Sequence, residues 1–339
     1  MALVLGLAGP AVAETCPRPG TLGTSRVSEV AVPVGGLFVG TKSYRATLPL
    51  APKEVVLTFD DGPAGATTDR VLAALEAECV KATFFVVGQM AQARPGQLRH
   101  IAAEGHTVGH HSMTHVIMNT VPYARARADI EQGWRTVDRI LSGEAGARPA
   151  TPFFRFPGFA PTRELSTWLA EERVGVFGAD FWGSDWTKIS SEALLAQVLV
   201  RLEEKQGGIL LLHDIHAHTA TMVPRLLAEL KARGYRVVHI VPQGSGAGGV
   251  GRRDEGLRDR GIDRPSLERR RRSGERRHLE GAPPRRLLAR KRRVHGESEL
   301  AEAVEDGGVV DRDGAVVELV SADTQRRGEQ PECLGIAEG

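Results

Sequence analysis

The chain has 339 residues, enough for one large domain or two small ones. Its hydrophobic content of 41% and formal net charge of +2 are ordinary for a globular protein and exclude a chain that is basic or acidic throughout. Its three cysteines show no Cys-x-x-Cys spacing, which excludes a thiolate metal site of that kind.

The first 13 residues form an apolar run that ends in Ala11-Val12-Ala13, a small-x-small pattern typical of signal-peptidase sites. The run is too short to span a bilayer as a permanent helix, so no transmembrane segment is expected. We therefore predict a signal peptide at 1–13, an N-terminal extension at 14–50, and a secreted or periplasmic protein. The alternative is an apolar N-terminus that is packed or disordered. Cys16 and Cys79 could pair in an oxidising compartment.

Short apolar runs alternate with amphipathic stretches between Lys53 and Val241. The runs predict strands at 54–59, 82–88, 106–111, 153–156, 174–180, 208–214 and 235–241. The stretches between them predict helices at 67–80, 95–104, 122–141, 162–172, 190–205 and 220–233. Repeated βα units imply a parallel sheet covered by helices, and both an open doubly wound sheet and a closed or distorted barrel fit this pattern.

The regular pattern stops at Gly244, where the Gly-rich stretch GSGAGGVG begins. The following segment, 252–293, has 17 Arg or Lys against 7 Asp or Glu, whereas 294–339 has 12 Asp or Glu against 3 Arg. No aromatic residue occurs after Tyr235. Because such a composition buries little apolar surface, we predict that 244–339 is a low-complexity, mostly disordered tail.

Polar residues stand at the carboxyl ends of most predicted strands. In chain order they are Asp60 and Asp61, His110 and His111, Arg155, Asp185 with Trp186, and His213 with Asp214. The carboxyl ends of parallel strands meet on one rim of a sheet or barrel, where active sites are built. The sequence therefore predicts that these side chains share one site.

The segment HSMTH places His111 and His115 four residues apart, on one helical turn or a tight loop. Two imidazoles and one carboxylate form a common metal-binding set that leaves positions open for water and substrate. The pair Asp60-Asp61 precedes Gly-Pro, so a turn that caps the next helix also explains it. With the two histidines on the same rim, a divalent metal site is the favoured interpretation.

Five segments, in order TFDDGP, HSMTH, RFPG, SDW and LLLHD, span about 190 residues. Together they resemble the five motifs of the polysaccharide deacetylases, the NodB-like carbohydrate esterase family four. The resemblance covers about 51–243. It implies an α/β fold, a distorted (β/α) barrel of about seven parallel strands, which decides between the two architectures above.

The resemblance also implies residue roles at the metal. Asp60 would be the general base, and Arg155 would pair with it and orient it. Asp61, His111 and His115 would hold the divalent metal, with zinc as the expected ion.

Further roles concern the proton donor and the substrate pocket. His213 would be the general acid, Asp185 would orient it, and Trp186 would line the pocket. Gly158 stands where many relatives have an aromatic residue, and it could still supply a backbone N–H to the oxyanion. We expect Trp182 to be a core residue rather than a sugar platform.

Two further interpretations concern the segment after the sixth strand. We expect His216 and His218 to be loop or surface residues rather than extra metal ligands. Asp214 could cap the following helix or support the site, and the sequence leaves both open.

The predicted function is a metal-dependent hydrolase that removes acetyl groups from an N-acetylated, or O-acetylated, polysaccharide or oligosaccharide. Chitin oligomers, peptidoglycan and exported polysaccharides all remain candidate substrates. The alternatives are an amidase on non-sugar C–N bonds and an inactive glycan-binding relative. Nucleic-acid binding through the basic runs 269–272 and 291–293 is not expected, because the acidic segment can neutralise them and no aromatics interleave them.

Overall fold

The computed structural model describes residues 18–244 and the short segments 288–292, 309–310 and 316–320. Two compact units divide the chain, Met1–Glu255 and Gly256–Gly339. In the first, the strands are β1 (Thr24–Val30), β2 (Phe38–Val39), β3 (Glu54–Asp60), β4 (Thr83–Val86), β5 (Thr107–His110), β6 (Phe153–Phe154), β7 (Gly175–Phe177), β8 (Phe181–Trp182), β9 (Gly207–His213) and β10 (Arg236–Pro242). Its α-helices are α1 (Ala66–Ala77), α2 (Gly88–Ala93), α3 (Pro95–Ala103), α4 (Tyr123–Ser142), α5 (Arg163–Glu171), α6 (Ser191–Lys205) and α7 (Ala217–Ala232).

The central strands pair in parallel in the order β9-β3-β4-β5-β6-β7. β7 pairs with β6. β8, which is separated from β7 only by residues 178–180, pairs with β9 at the other edge. One bent segment therefore joins the two open edges and closes the sheet into a distorted barrel. The predicted fold class is confirmed.

Two further strands lie at the end of the barrel where its strands begin. β10 pairs with Glu54 and Val55 at the start of β3, and β1 pairs along β10. Val30, Val238 and Ile240 from these strands share a buried cluster with Val56 and Phe85 of the barrel. Because this end is filled, the carboxyl ends of the strands form the accessible rim.

The side-chain alternation of β3 decides which of its residues reach the barrel interior. Val55, Leu57 and Phe59 lie in the buried cluster that packs against the helices, whereas Val56 lies in the interior cluster. Since side chains alternate along a strand, Thr58 and Asp60 share the inner face with Val56. The terminal carboxylate of β3 therefore points into the mouth of the barrel.

The seven predicted strands and six predicted helices are all present, with ends shifted by a few residues. β1, β2, β8 and α2 were not predicted. β2 and β8 have two residues each, too few to show a periodic pattern. The predicted strand 174–180 is shorter in the structure, because β7 ends at Phe177, where the chain bends before β8 pairs with a different neighbour.

In the second unit, β11 (Leu288–Arg292), β12 (Val309–Val310) and β13 (Val316–Val320) form an antiparallel sheet in the order β11-β13-β12. The rest of the tail, for which disorder is predicted, lies outside the described residues. The predicted signal peptide, Cys16 and the basic run 269–272 also lie outside them. Cys79 is disulfide-bonded. Among the described helices, none has the length and apolar character that crossing a membrane requires.

Candidate active site

The carboxylates of Asp60 and Asp61 lie on the same rim although they are neighbours in sequence. Asp60 ends β3 and is buried, and Asp61 has a φ of 77°. In a regular strand the two side chains would point to opposite faces, but the left-handed backbone of Asp61 ends this alternation. The imidazole of His111 therefore lies near both carboxylates. His111 Nε2 lies 3.8 Å from Asp60 Oδ2 and 3.4 Å from Asp61 Oδ1.

Asp214 holds the loop that follows Asp61. Its Oδ1 accepts a hydrogen bond from the Gly62 N–H at 3.1 Å, and its Oδ2 accepts one from the Thr68 hydroxyl. A Cβ at position 62 would lie 2.1 Å from Asp214 Oδ2, so only glycine fits there. Burial raises the pKa of Asp214 to about 7. His216, not Asp214, is the N-cap of α7, so these contacts favour site support over helix capping.

Asp61, His111 and His115 bring one ligand atom each within 4.8 Å of one another. His115 is carried by a tight loop rather than a helix: Ser112 and His115 both have positive φ, and the His115 N–H donates to Ser112 Oγ at 3.0 Å. His115 Nε2 lies 3.2 Å from Asp61 Oδ1. The two histidines and one carboxylate predicted from the sequence are thus brought together.

The chemistry of this triad fits a divalent cation. His111 Nδ1 lies 2.8 Å from the Arg155 carbonyl, which can only accept, so Nδ1 carries the proton and the Nε2 lone pair faces Asp61. Asp61 Oδ1 is buried, and the Nε2 atoms of both His111 and His115 lie within 3.4 Å of it. Burial lowers the pKa of His111, which favours the neutral ligand form. The hydrogen bond with Asp61 raises the pKa of His115, which favours a proton on its Nε2. A bound cation would replace this proton.

Arg155 crosses the barrel interior and is fully buried. On the β3 side its Nη1 donates to Asp60 Oδ1 at 2.7 Å and to Thr58 Oγ1 at 2.9 Å. On the other side its Nε and Nη2 donate to the carbonyls of Phe177 (3.1 Å) and Gly178 (2.8 Å) at the β7–β8 bend. The guanidinium therefore fixes Asp60 and ties both sides of the barrel closure together.

His213, at the end of β9, pairs with Asp185. Asp185 Oδ1 lies 2.8 Å from His213 Nδ1, and Asp185 Oδ2 accepts from the His213 N–H and the Thr219 hydroxyl, both at 2.7 Å. His213 Nε2 therefore faces the site, 4.0 Å from Asp61 Oδ2. Burial alone would lower the pKa of His213, but the hydrogen bond and charge of Asp185 outweigh it and raise the pKa to about 9.

Aromatic rings extend from His213 along the rim. Trp186 is 49% exposed and its ring lies 5.7 Å from that of His213. Trp182 contacts Trp186 on one side and stacks on Phe159, both at 5.7 Å between centroids. Trp182 was expected to be a core residue, but it is only half-buried.

The remaining expected positions lie at the edge of the site. Gly158, with a φ of 59°, is exposed in the turn after Phe156. His218 Nε2 lies 2.6 Å from the Asp185 carbonyl, and the His216 ring stacks on that of His218 at 5.2 Å. Neither histidine belongs to the cluster of candidate metal ligands found among the described residues.

Three polar residues of the site were not predicted from the sequence. Thr58 lies two residues before Asp60 on a strand, so its place on the same face could have been read from the alternation. Thr219 binds Asp185 from α7, and Lys42 lies over the Trp182 ring from a loop far away in sequence. No local pattern marks either of them.

The family model described as polysaccharide deacetylase matches residues 48–173. A chitooligosaccharide deacetylase from Sinorhizobium fredii is 30% identical over 207 residues, which cover 56% of this chain and 90% of that protein. This chain belongs to the polysaccharide deacetylase family.

Two further relatives of this family member are enzymes named for peptidoglycan. The peptidoglycan-N-acetylglucosamine deacetylase of Listeria monocytogenes is 32% identical over 189 residues, which cover 56% of this chain but only 38% of that protein. The solved structure of a peptidoglycan deacetylase from Bdellovibrio bacteriovorus aligns with a TM-score of 0.58 and 32% identity, covering 70% of this chain and 65% of that one. The family match begins at residue 48, so the loop with Lys42 lies outside it.

Proposed function

We propose that this chain is a metal-dependent hydrolase that removes acetyl groups from N-acetylated glycans. The observation that carries the proposal is that Asp60 and His213, neighbours on adjacent strands, both lie within 4.0 Å of a member of the triad Asp61, His111 and His115. This arrangement offers a proton acceptor, a proton donor and a cation site around one space. The relatives named for chitooligosaccharide and peptidoglycan support an N-acetylated glycan as the substrate.

Asp61, His111 and His115 would hold the divalent cation, and two imidazoles with one carboxylate suit zinc. When bound, such a cation would lower the pKa of water and polarise the acetyl carbonyl. Asp60 is left outside this triad, and Arg155 prevents it from rotating. Asp60 is therefore the group that accepts the proton of the attacking water. The backbone N–H of Gly158 would serve the developing oxyanion.

His213 would deliver the proton to the leaving amine. Its Nδ1–H is held by Asp185, so the transferable proton is on Nε2, which faces Asp61 and the site. Because Asp185 raises the pKa of His213 to about 9, the imidazole enters the reaction protonated at neutral pH. A nearby cation would lower this pKa toward neutrality, which suits a proton donor.

The test is acetate release from N-acetylglucosamine oligomers and from peptidoglycan by the full chain. We expect release by zinc-loaded protein, loss after chelation, and recovery when zinc is returned. His115→Ala should reduce both the zinc content and the release, whereas His100→Ala, on the exposed end of α3, is the matched control. Zinc bound at one per chain without release from any glycan would contradict the proposed substrate class and favour other amides.

Replacing Asp185 by Asn should shift the pH dependence of the reaction. Without the carboxylate, burial dominates and the pKa of His213 falls, so the imidazole loses its proton at a lower pH. The alkaline limb of kcat/KM should therefore move to lower pH, with the larger loss of activity above pH 8. Measured at equal zinc content, an unchanged alkaline limb would show that His213 is not the proton donor.

We also propose that the protein acts outside the cytoplasm. The expected signal peptide and the disulfide at Cys79 support this location, because disulfides persist in oxidising compartments.

A further inference from the structure

Lys42 belongs to a loop of the N-terminal extension, residues 40–47, which packs against the bend between β7 and β8. Buried Asp180 anchors this loop: its Oδ1 accepts from the Thr41 N–H at 2.8 Å and its Oδ2 from the Thr47 hydroxyl at 2.7 Å. The Lys42 N–H donates to the Ala179 carbonyl at 2.9 Å. A Cβ at Gly40, whose φ is 107°, would lie 2.5 Å from Ala179 N. The backbone of the loop is thus fixed against the barrel.

Lys42 is exposed, but its ammonium has a defined position against an aromatic ring. Its Nζ lies 4.8 Å from the centroid of the Trp182 ring. Phe159 stacks on the same indole, so this ring acts as a support for the lysine rather than as an open platform. Lys42 forms no ion pair with any described residue. A positive charge is therefore held on the rim with no counter-ion among the residues that the structure describes.

This charge is close to the reacting centre. Trp182 contacts Trp186, and Trp186 contacts His213, so two ring contacts separate the seat of the ammonium from the proposed proton donor. Trp186 is 49% exposed and offers an aromatic face between the two. A sugar lying on Trp186 with its acetyl group in the site would extend its neighbouring sugar toward Lys42.

We propose that Lys42 determines specificity by binding a carboxylate on the sugar next to the one that is deacetylated. This inference rests on the proposed function and deepens it: the preferred substrate is an acetamido glycan that carries carboxylates. A single ammonium suits a monoanion as a point charge, unlike the two-pronged guanidinium. The site residues that perform the chemistry stay the same.

The test compares two glycans of equal length. One is a neutral N-acetylglucosamine oligomer, and the other is a peptidoglycan glycan strand without peptides, in which alternate sugars carry a free lactyl carboxylate. Binding is followed by tryptophan fluorescence in the Asp60→Asn background, where turnover is expected to be about a thousandfold slower. Trp134 and Trp168 are buried against each other and give a steady background, so the signal reports on Trp182 and Trp186.

Lys42→Met should weaken binding of the carboxylate-bearing glycan about threefold to fivefold relative to the neutral one, the upper part of the range for an exposed ion pair. High salt should remove the same preference from the parent protein. Trp182→Leu should reduce the preference as well, because the ammonium loses its support. Lys53→Met is the matched control, because Lys53 lies 5.7 Å from the Tyr235 ring at the opposite end of β3.

Equal weakening of both glycans by Lys42→Met, no weakening of either, or no binding of either glycan would overturn the proposal. Acetate release by the parent protein is measured separately. Selective binding without any release would leave the Lys42 site standing and refute the deacetylase function. Acetate release without any preference for the carboxylate-bearing glycan would support the deacetylase function and refute the Lys42 site.

Discussion

Asp60→Asn is expected to lower kcat for acetate release by about a thousandfold or more, within the range attributed to a positioned general base. Asparagine keeps the shape of the side chain, and its amide oxygen can still accept the hydrogen bond from Arg155. It cannot accept a proton from water. The loss should therefore appear in kcat, with a smaller effect on KM.

Zinc content separates this role from damage to the metal site. Asp61 is the carboxylate of the candidate triad, so Asp60→Asn should still bind one zinc per chain. Asp69→Asn, an exposed aspartate in the first turn of α1, is the control and should retain full activity. If Asp60→Asn kept more than a tenth of the parent kcat at full zinc content, another group would have to be the base.

Arg155→Lys should both destabilise the protein and reduce its activity. The guanidinium makes four hydrogen bonds through three nitrogens, to Asp60, Thr58 and the two carbonyls at the β7–β8 bend. A lysine ammonium is a single nitrogen and cannot reach both sides of the barrel. Because the position is fully buried, the groups left without a donor have no water to replace it.

We expect the free energy of unfolding to fall by about 3 kcal/mol, the lower end of the range for a broken buried pair. Denaturant titration measures this change, and acetate release under conditions where the variant is folded measures the loss of Asp60 positioning. Arg148→Lys is the control, because that arginine pairs with Glu172 at the surface and should contribute less than about 1 kcal/mol. A variant as stable and as active as the parent would contradict the role given to Arg155.

Much of the site could be predicted because its residues stand at fixed places in repeated local units. The buried strands β3, β5 and β9 end in Asp60, His110 and His213, and the parallel arrangement brings those ends together. The spacing of His111 and His115 needs no long-range contact to suggest a shared ligand. These local patterns predict that the carboxylates and the two histidines share one rim, and the family resemblance added the choice of Asp61 as the ligand and the contact between Arg155 and Asp60.

The missing parts depend on contacts between distant segments. Asp214 could be assigned to the loop after Asp61 only once its contacts with Gly62 and Thr68 were known. Lys42 reaches Trp182 because Asp180 anchors a loop from the other end of the chain, and no periodicity in either segment records that contact.

The sequence by itself determined the order of the βα units, the rim where polar residues gather and the residue types available for a metal site, because alternation and spacing are local properties. The tertiary structure alone decided how the barrel closes, through a bend that lets β7 pair with β6 and β8 pair with β9. It also decided which side chains of the N-terminal extension reach the rim. Closure and register are set by pairing and packing across the whole chain, and these leave no signature within any one segment.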